Sequence, residues 1–241
     1  MNRVVIGETV RRHITNVFFL AFVGFLILVA LAVSAFDRPA SGWPGLVALL
    51  SLITGCGVIG PEFSSGTLQL ILVKPVTRAA YLLSRVTGVV LVVWLAALVA
   101  AATELVGRAL WGHGTLHAKA LGAALLNSAT DTILAVALLA LLGSITRAYF
   151  NIAIYIAVLA ALNVGQVVLA LVRQSHNAVG EYLAQHHGVE RAVQIVEANL
   201  FPELSPRLSA TWSLMVLCNA SIALVLACLA FRRREVPYGA D

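Results

Sequence analysis

Charge is what this sequence lacks most. Only 11% of its 241 residues are Asp, Glu, Lys or Arg, against 60% hydrophobic residues. A soluble domain averages about 25% charged and 45–50% apolar residues. A surface this poor in charge is not one built for water. Lysine is nearly absent: of 16 basic residues, only Lys74 and Lys119 are lysines. Val73 precedes Lys74 and Ala118 precedes Lys119, so neither closes a GxxxxGK[ST] phosphate loop, and ATP hydrolysis is not expected of this chain. There are three cysteines, Cys56, Cys218 and Cys228, all inside apolar runs and without CxxC spacing. They read as small buried apolar residues, neither a disulfide framework nor a metal site. No HExxH or GxSxG occurs, which leaves no catalytic residues to name.

What is present in abundance is long apolar runs. The mean hydropathy is +0.93, and several stretches reach the roughly 20 apolar residues that cross a bilayer. The expected fold class is an all-α integral membrane protein, a single domain over 1–241 with six transmembrane helices at 16–36, 44–60, 86–106, 120–145, 149–172 and 208–231. The first run is long for a signal peptide, and Ser34-Ala35-Phe36-Asp37 has no small-x-small cleavage site, so it is read as a retained anchor. Ahead of it, residues 3–15 alternate Ile6, Val10 and Ile14 with Arg3, Glu8, Arg11 and Arg12 at helical spacing. That pattern predicts an amphipathic helix in the headgroup layer. Residues 173–207 carry Val179, Leu183, Val189, Val193 and Val196 at helical spacing and predict an outer helical segment.

The basic residues sit mainly at the ends of spans. They therefore speak of orientation in a membrane, and no nucleic-acid partner is expected. With both termini inside, the inner segments hold ten Lys and Arg against six outside, so both termini are expected in the cytoplasm. Polar groups within spans are few. Asp131 lies near mid-depth of the fourth run beside Asn127, and Asn163 and Gln166 sit together in the fifth. These four are the candidates for a pathway lining or a polar interior, because such groups are costly in lipid. Glu104 and Arg108, four residues apart, predict an ion pair within the third run. His113 and His117 are spaced as helical metal ligands would be, but Gly112 and Gly114 and the lack of a nearby carboxylate or cysteine argue for a loop, and no metal site is expected.

The most specific segment is the connection at 62–85. Glu62-Phe63 leads into Gly66-Thr67-Leu68, an apolar stretch, then Lys74-Pro75-Val76-Thr77-Arg78, and an apolar helix carrying Arg85 into the third span. Physically this is a short helix, a proline-enforced break and a second helix on the cytoplasmic side. In residue order and in architecture it resembles the permease subunits of type-2 ABC transporters. That resemblance implies an elbow helix at 3–15, with Glu8, Arg11 and Arg12 on its polar face, and a cytoplasmic coupling helix. Glu62, Phe63, Gly66, Thr67, Leu68, Pro75, Thr77 and Arg78 would be the ATPase contact. It also implies two separate ABC ATPase subunits supplying ATP and Mg, and pairing with a second permease copy or a related permease. The implied location is the bacterial inner membrane and the implied activity export, or work on an outer-face protein at 173–207. An ion-coupled secondary transporter or channel using Asp131 is the rival reading; an intramembrane enzyme would need catalytic groups clustered at one depth, and the Gly66-Thr67-Leu68 to Pro75-Val76-Thr77-Arg78 segment argues against a purely structural subunit.

Overall fold

The computed structural model describes residues 2–36, 42–59, 77–111, 118–146, 150–174, 188, 195 and 210–233. Seven helices run through them: α1 (Arg3–Ile14), α2 (Val17–Ala35), α3 (Trp43–Cys56), α4 (Arg78–Leu110), α5 (Ala118–Ile145), α6 (Phe150–Gln174) and α7 (Ala210–Arg233). Residues 60–76, including Glu62, Phe63, Gly66, Thr67, Leu68 and Pro75, fall outside the described residues, as does nearly all of the segment at 173–207.

Local chemistry fixes the helix starts. Asn2 accepts from the Val4 amide at 3.0 Å, Asn16 from Phe18 at 2.9 Å and Thr77 from Ala80 at 3.3 Å, each satisfying a donor that the first turn leaves orphaned. Pro44 sits in the first turn of α3, where its missing N–H costs nothing. Arg11 and Arg12 in the last turn of α1 complement the helix dipole.

Among the described residues, four helices are long and apolar enough to cross a membrane: Val17–Ala35, Arg78–Leu110, Lys119–Ile145 and Thr211–Arg233. Trp43–Cys56 and Phe150–Gly165 are shorter apolar stretches. At 1.5 Å per residue, the 14 residues of α3 reach only about 21 Å, less than the hydrocarbon thickness of about 30 Å. The 33 residues of α4 reach about 50 Å and overshoot it.

α4 is the centre of the bundle, packing on α1, α2, α3, α5 and α7. Its inward stripe runs from Leu82 through Val86, Val89 and Val93 to Ala96, Ala97, Ala100 and Ala101. The alanines let α2 and α3 come close, in a cluster with Leu26, Ala30, Trp43, Val47 and Leu50. Glycine does the same at two crossings. A Cβ on Gly88 would stand 2.7 Å from Thr9 Cβ, and one on Gly55 would stand 2.8 Å from Leu139 Cδ1. α7 and α3 both pack on α5, and α6 packs least.

The outer surface of this bundle is apolar. Phe18 is 87% exposed, Val17 76%, Leu28 65% and Leu214 62%, and only 17% of the α2 window is buried. Leaving such side chains in water would forfeit on the order of 1.5–3 kcal/mol each, whereas lipid accepts them.

Two expectations are refined here. The helix leading into the third span is not separate from it: α4 runs unbroken from Arg78, because Thr77 caps it there, and not from position 86. The buried face of α1 centres on Thr9, which is fully buried, whereas Ile14 is 44% exposed. The notch at Gly88 admits Thr9 and sets that face.

Candidate functional site

The helix ends gather at two levels. At one, Trp43 Nε1 at the start of α3 donates to Glu104 Oε2 at 2.8 Å near the end of α4. Arg108 Nε donates to Glu104 Oε1 at 3.0 Å. All three side chains are buried, and Gly107 beside them lies against Ser34 near the end of α2. The expected Glu104–Arg108 pair is therefore present, with an indole as a third member.

At the other level lie the end of α1, the start of α2, the end of α3 and the start of α4. Arg85, only 6% exposed, donates from Nη1 to Thr9 Oγ1 at 3.1 Å and from Nε to the Val58 carbonyl at 3.4 Å. Thr9 Oγ1 in turn donates to the Val5 carbonyl at 2.7 Å. The Asn2 amide donates to Ser84 Oγ at 2.8 Å. Arg78, half-buried, donates to the Arg232 carbonyl at 3.4 Å, joining the start of α4 to the end of α7. Asn151 at the start of α6 donates to the Cys56 carbonyl at 3.1 Å and to the Leu139 carbonyl at 3.3 Å. Segments from α1, α7 and the chain just after α3 thus bond the first two turns of α4, while α6 bonds the end of α3 and α5.

Of the coupling residues read from the sequence, the structure describes Thr77 and Arg78, which cap and open α4. Glu8, Arg11 and Arg12 are exposed on α1. His13 of the same helix is half-buried, and its ring bonds the Thr9 carbonyl at 2.8 Å. Burial, with Arg85 and Arg12 nearby, lowers its pKa from 6.5 despite that bond, so the neutral ring is favoured.

The interior polar residues separate. Asn127, Ser128, Thr130, Asp131 and Thr132 are all buried on α5. Thr130 and Thr132 return their hydroxyls to carbonyls of their own helix, Thr132 to Ser128 at 2.6 Å. Asp131 Oδ1 and Ser128 Oγ have no hydrogen-bond partner among the described residues. Asn163 does not join them: it is exposed and donates to the Leu159 carbonyl one turn back at 2.8 Å. The backbone of Gln166 continues α6. No cluster of three or more His, Cys, Asp or Glu suited to a metal occurs among the described residues.

Sequence reasoning missed the Thr9–Arg85–Val58 link. A threonine inside a basic amphipathic helix and an arginine flanking the apolar run of the third span were its only signals.

These features define a helical chain of the multi-pass membrane class, with four helices among the described residues long and apolar enough to cross a bilayer. Residues 40–236 match the family described as "Protein of unknown function (DUF2705)", and the chain belongs to that family. The match spans α3 to α7 and begins after α2. A comparison with curated proteins gives no match.

Proposed function

We propose that this chain is the membrane-spanning permease subunit of an ATP-driven type-2 ABC transporter, acting as an exporter or on a partner at its outer face. On this reading α2 to α7 make six crossings with both termini in the cytoplasm of a bacterium, and α1 is the elbow helix. Two such subunits, identical or related, pair in the inner membrane. Two ATPase subunits, carrying ATP and Mg, dock on the segment from Glu62 to Arg78. Residues 173–207 face outward, where a partner protein would bind.

The observation that carries this reading is where the Glu62–Arg78 segment ends. Thr77 and Arg78 open α4, the helix that packs on five others, and Arg78 also reaches the end of α7. A displacement applied at that point loads most of the bundle at once, which is what a motor-driven rearrangement requires. The alternation of contacts adds support. Trp43 meets Glu104 at one level, while Asn151 meets Cys56 and Arg78 meets Arg232 at the other, as successive antiparallel crossings would.

The test is Glu62→Arg in the assembled transporter, with ATPase activity and transport measured together. Loss of transport with ATPase activity retained supports the docking assignment; wild-type transport overturns it.

A second reading keeps one observation of its own. Asp131 Oδ1 is buried without a hydrogen-bond partner among the described residues, as an ion-coupling carboxylate in a secondary transporter would be. Transport abolished by collapsing the ion gradient, and indifferent to ATP depletion, would favour it.

A further inference from the structure

Beside the Thr9–Arg85 link lies a cavity of about 450 Å³, bounded by the end of α1, the first turns of α2, the end of α3 and the start of α4. Its lining combines two kinds of group: Arg12, His13, Asn16 and Arg85, and the apolar Phe18, Phe19, Phe22, Leu50 and Ile53. Among the described residues it holds no Asp or Glu. Chain order gives these groups a direction. Arg12 belongs to the helix that precedes the span, whereas the phenylalanines occupy the first two turns of Val17–Ala35, which the membrane must cover. Polar and cationic groups thus sit at headgroup depth and aromatic groups at acyl-chain depth.

Each end is held in shape. Arg85 is fixed by Thr9 and Val58, and the His13 ring packs edge-on against Phe19 at 6.5 Å between centroids. Arg12 is exposed, so its guanidinium can close on a ligand without leaving a buried partner behind. A guanidinium recognises a phosphate through charge-assisted hydrogen bonds. The volume is in the usual range for a small-molecule site.

We propose that this cavity binds an anionic phospholipid, with its phosphate at Arg12 and its acyl chain along Phe18, Phe19 and Ile53. The site belongs to this chain's own fold and stands independently of the transport reading. A bound lipid would join α1 to α2 and α3 at the level where α4 begins.

The test is native mass spectrometry of the full chain in mild detergent micelles, supplied with phosphatidylglycerol or phosphatidylcholine. The wild type is expected to retain one phosphatidylglycerol in preference to phosphatidylcholine. Arg12→Ala should weaken that retention on the order of tenfold, the worth of one charge-assisted hydrogen bond. Arg11→Ala removes the same charge from the same helix outside the cavity and should leave retention unchanged. Phe18→Ala, at an exposed position, should weaken retention without affecting folding. Equal losses in Arg11→Ala and Arg12→Ala would reduce the effect to general attraction by a basic helix and overturn the site. So would equal retention of the two lipids. Displacement of phosphatidylglycerol by millimolar inorganic phosphate would show a free-anion site and overturn the lipid assignment.

Discussion

Among the described residues two acids are buried, and they are treated differently. Glu104 is 3% exposed and has both oxygens engaged, one by the Trp43 indole and one by the Arg108 guanidinium. Asp131 is 7% exposed and has an oxygen with no partner among the described residues. The first arrangement is what a structural ion pair needs: low dielectric strengthens each bond, and no donor or acceptor is stranded. The second stabilises nothing that the structure displays, and a polar group in such a place is a candidate for function. The contrast separates a clamp from a site, and substitution can measure it.

The largest effect should come from the clamp. Glu104→Ala takes the carboxylate away from a buried guanidinium and frees the indole N–H, and should cost about 3–5 kcal/mol. The measurement is the thermal or denaturant midpoint in detergent. A loss below about 1 kcal/mol would show that water or lipid headgroups already satisfy Arg108.

Next comes the close crossing of α1 on α4. Gly88→Ala places a methyl 2.7 Å from Thr9 Cβ, against a neighbour fixed by Arg85. It should cost about 1–3 kcal/mol as overpacking. It should also detach α1, read as faster proteolysis at residues 2–16. Unchanged proteolysis would show that α1 is held by the membrane and not by α4.

Asp131→Leu should behave in the opposite way to Glu104→Ala. Stability should stay within about 1 kcal/mol of wild type or rise, since no hydrogen bond to Oδ1 is lost. Activity should fall if the carboxyl lines a pathway. A destabilisation as large as that of Glu104→Ala would make Asp131 a second clamp and erase the comparison.

The smallest effect is pH-dependent. His13 has a pKa lowered from 6.5 in the folded chain, chiefly by burial, so the unfolded chain binds the proton more readily. Stability should be level above that ordinary value and fall as the pH drops below it. His13→Gln should flatten the acid side of a midpoint-against-pH curve; an identical slope in the variant would assign the titration elsewhere.

Much of the fold was legible in the sequence because lipid makes hydropathy decisive. The runs of α2, α4, α5 and α7 are apolar over a span's length, and no soluble packing competes for them. α3 was legible as an apolar run but not as a 14-residue helix. The start of α4 was misplaced by eight residues, since the hydropathy rises near Val86 whereas the cap is Thr77. Arg85 read as a basic flank of the span; its burial depends on Thr9, 76 positions away, and no local pattern carries that distance. Likewise the Glu104–Arg108 spacing announced an ion pair, but Trp43 joins it across 61 positions. Asp131 was marked by its polarity inside a span; that its Oδ1 finds no hydrogen bond among the described residues is a property of the neighbouring helices. Glu62, Gly66, Thr67, Leu68 and Pro75 carry the resemblance to transporter permeases and lie outside the described residues, so their part in the account rests on sequence.

The central claim is that a separate motor drives this chain, and the most direct measurement is its purification from the native membrane in mild detergent, with mass spectrometry of what accompanies it. The account predicts a phosphate-loop ATPase in stoichiometric amount that cross-links to residues between Glu62 and Arg78. A chain that purifies without an ATPase, even after cross-linking in the membrane, would contradict it.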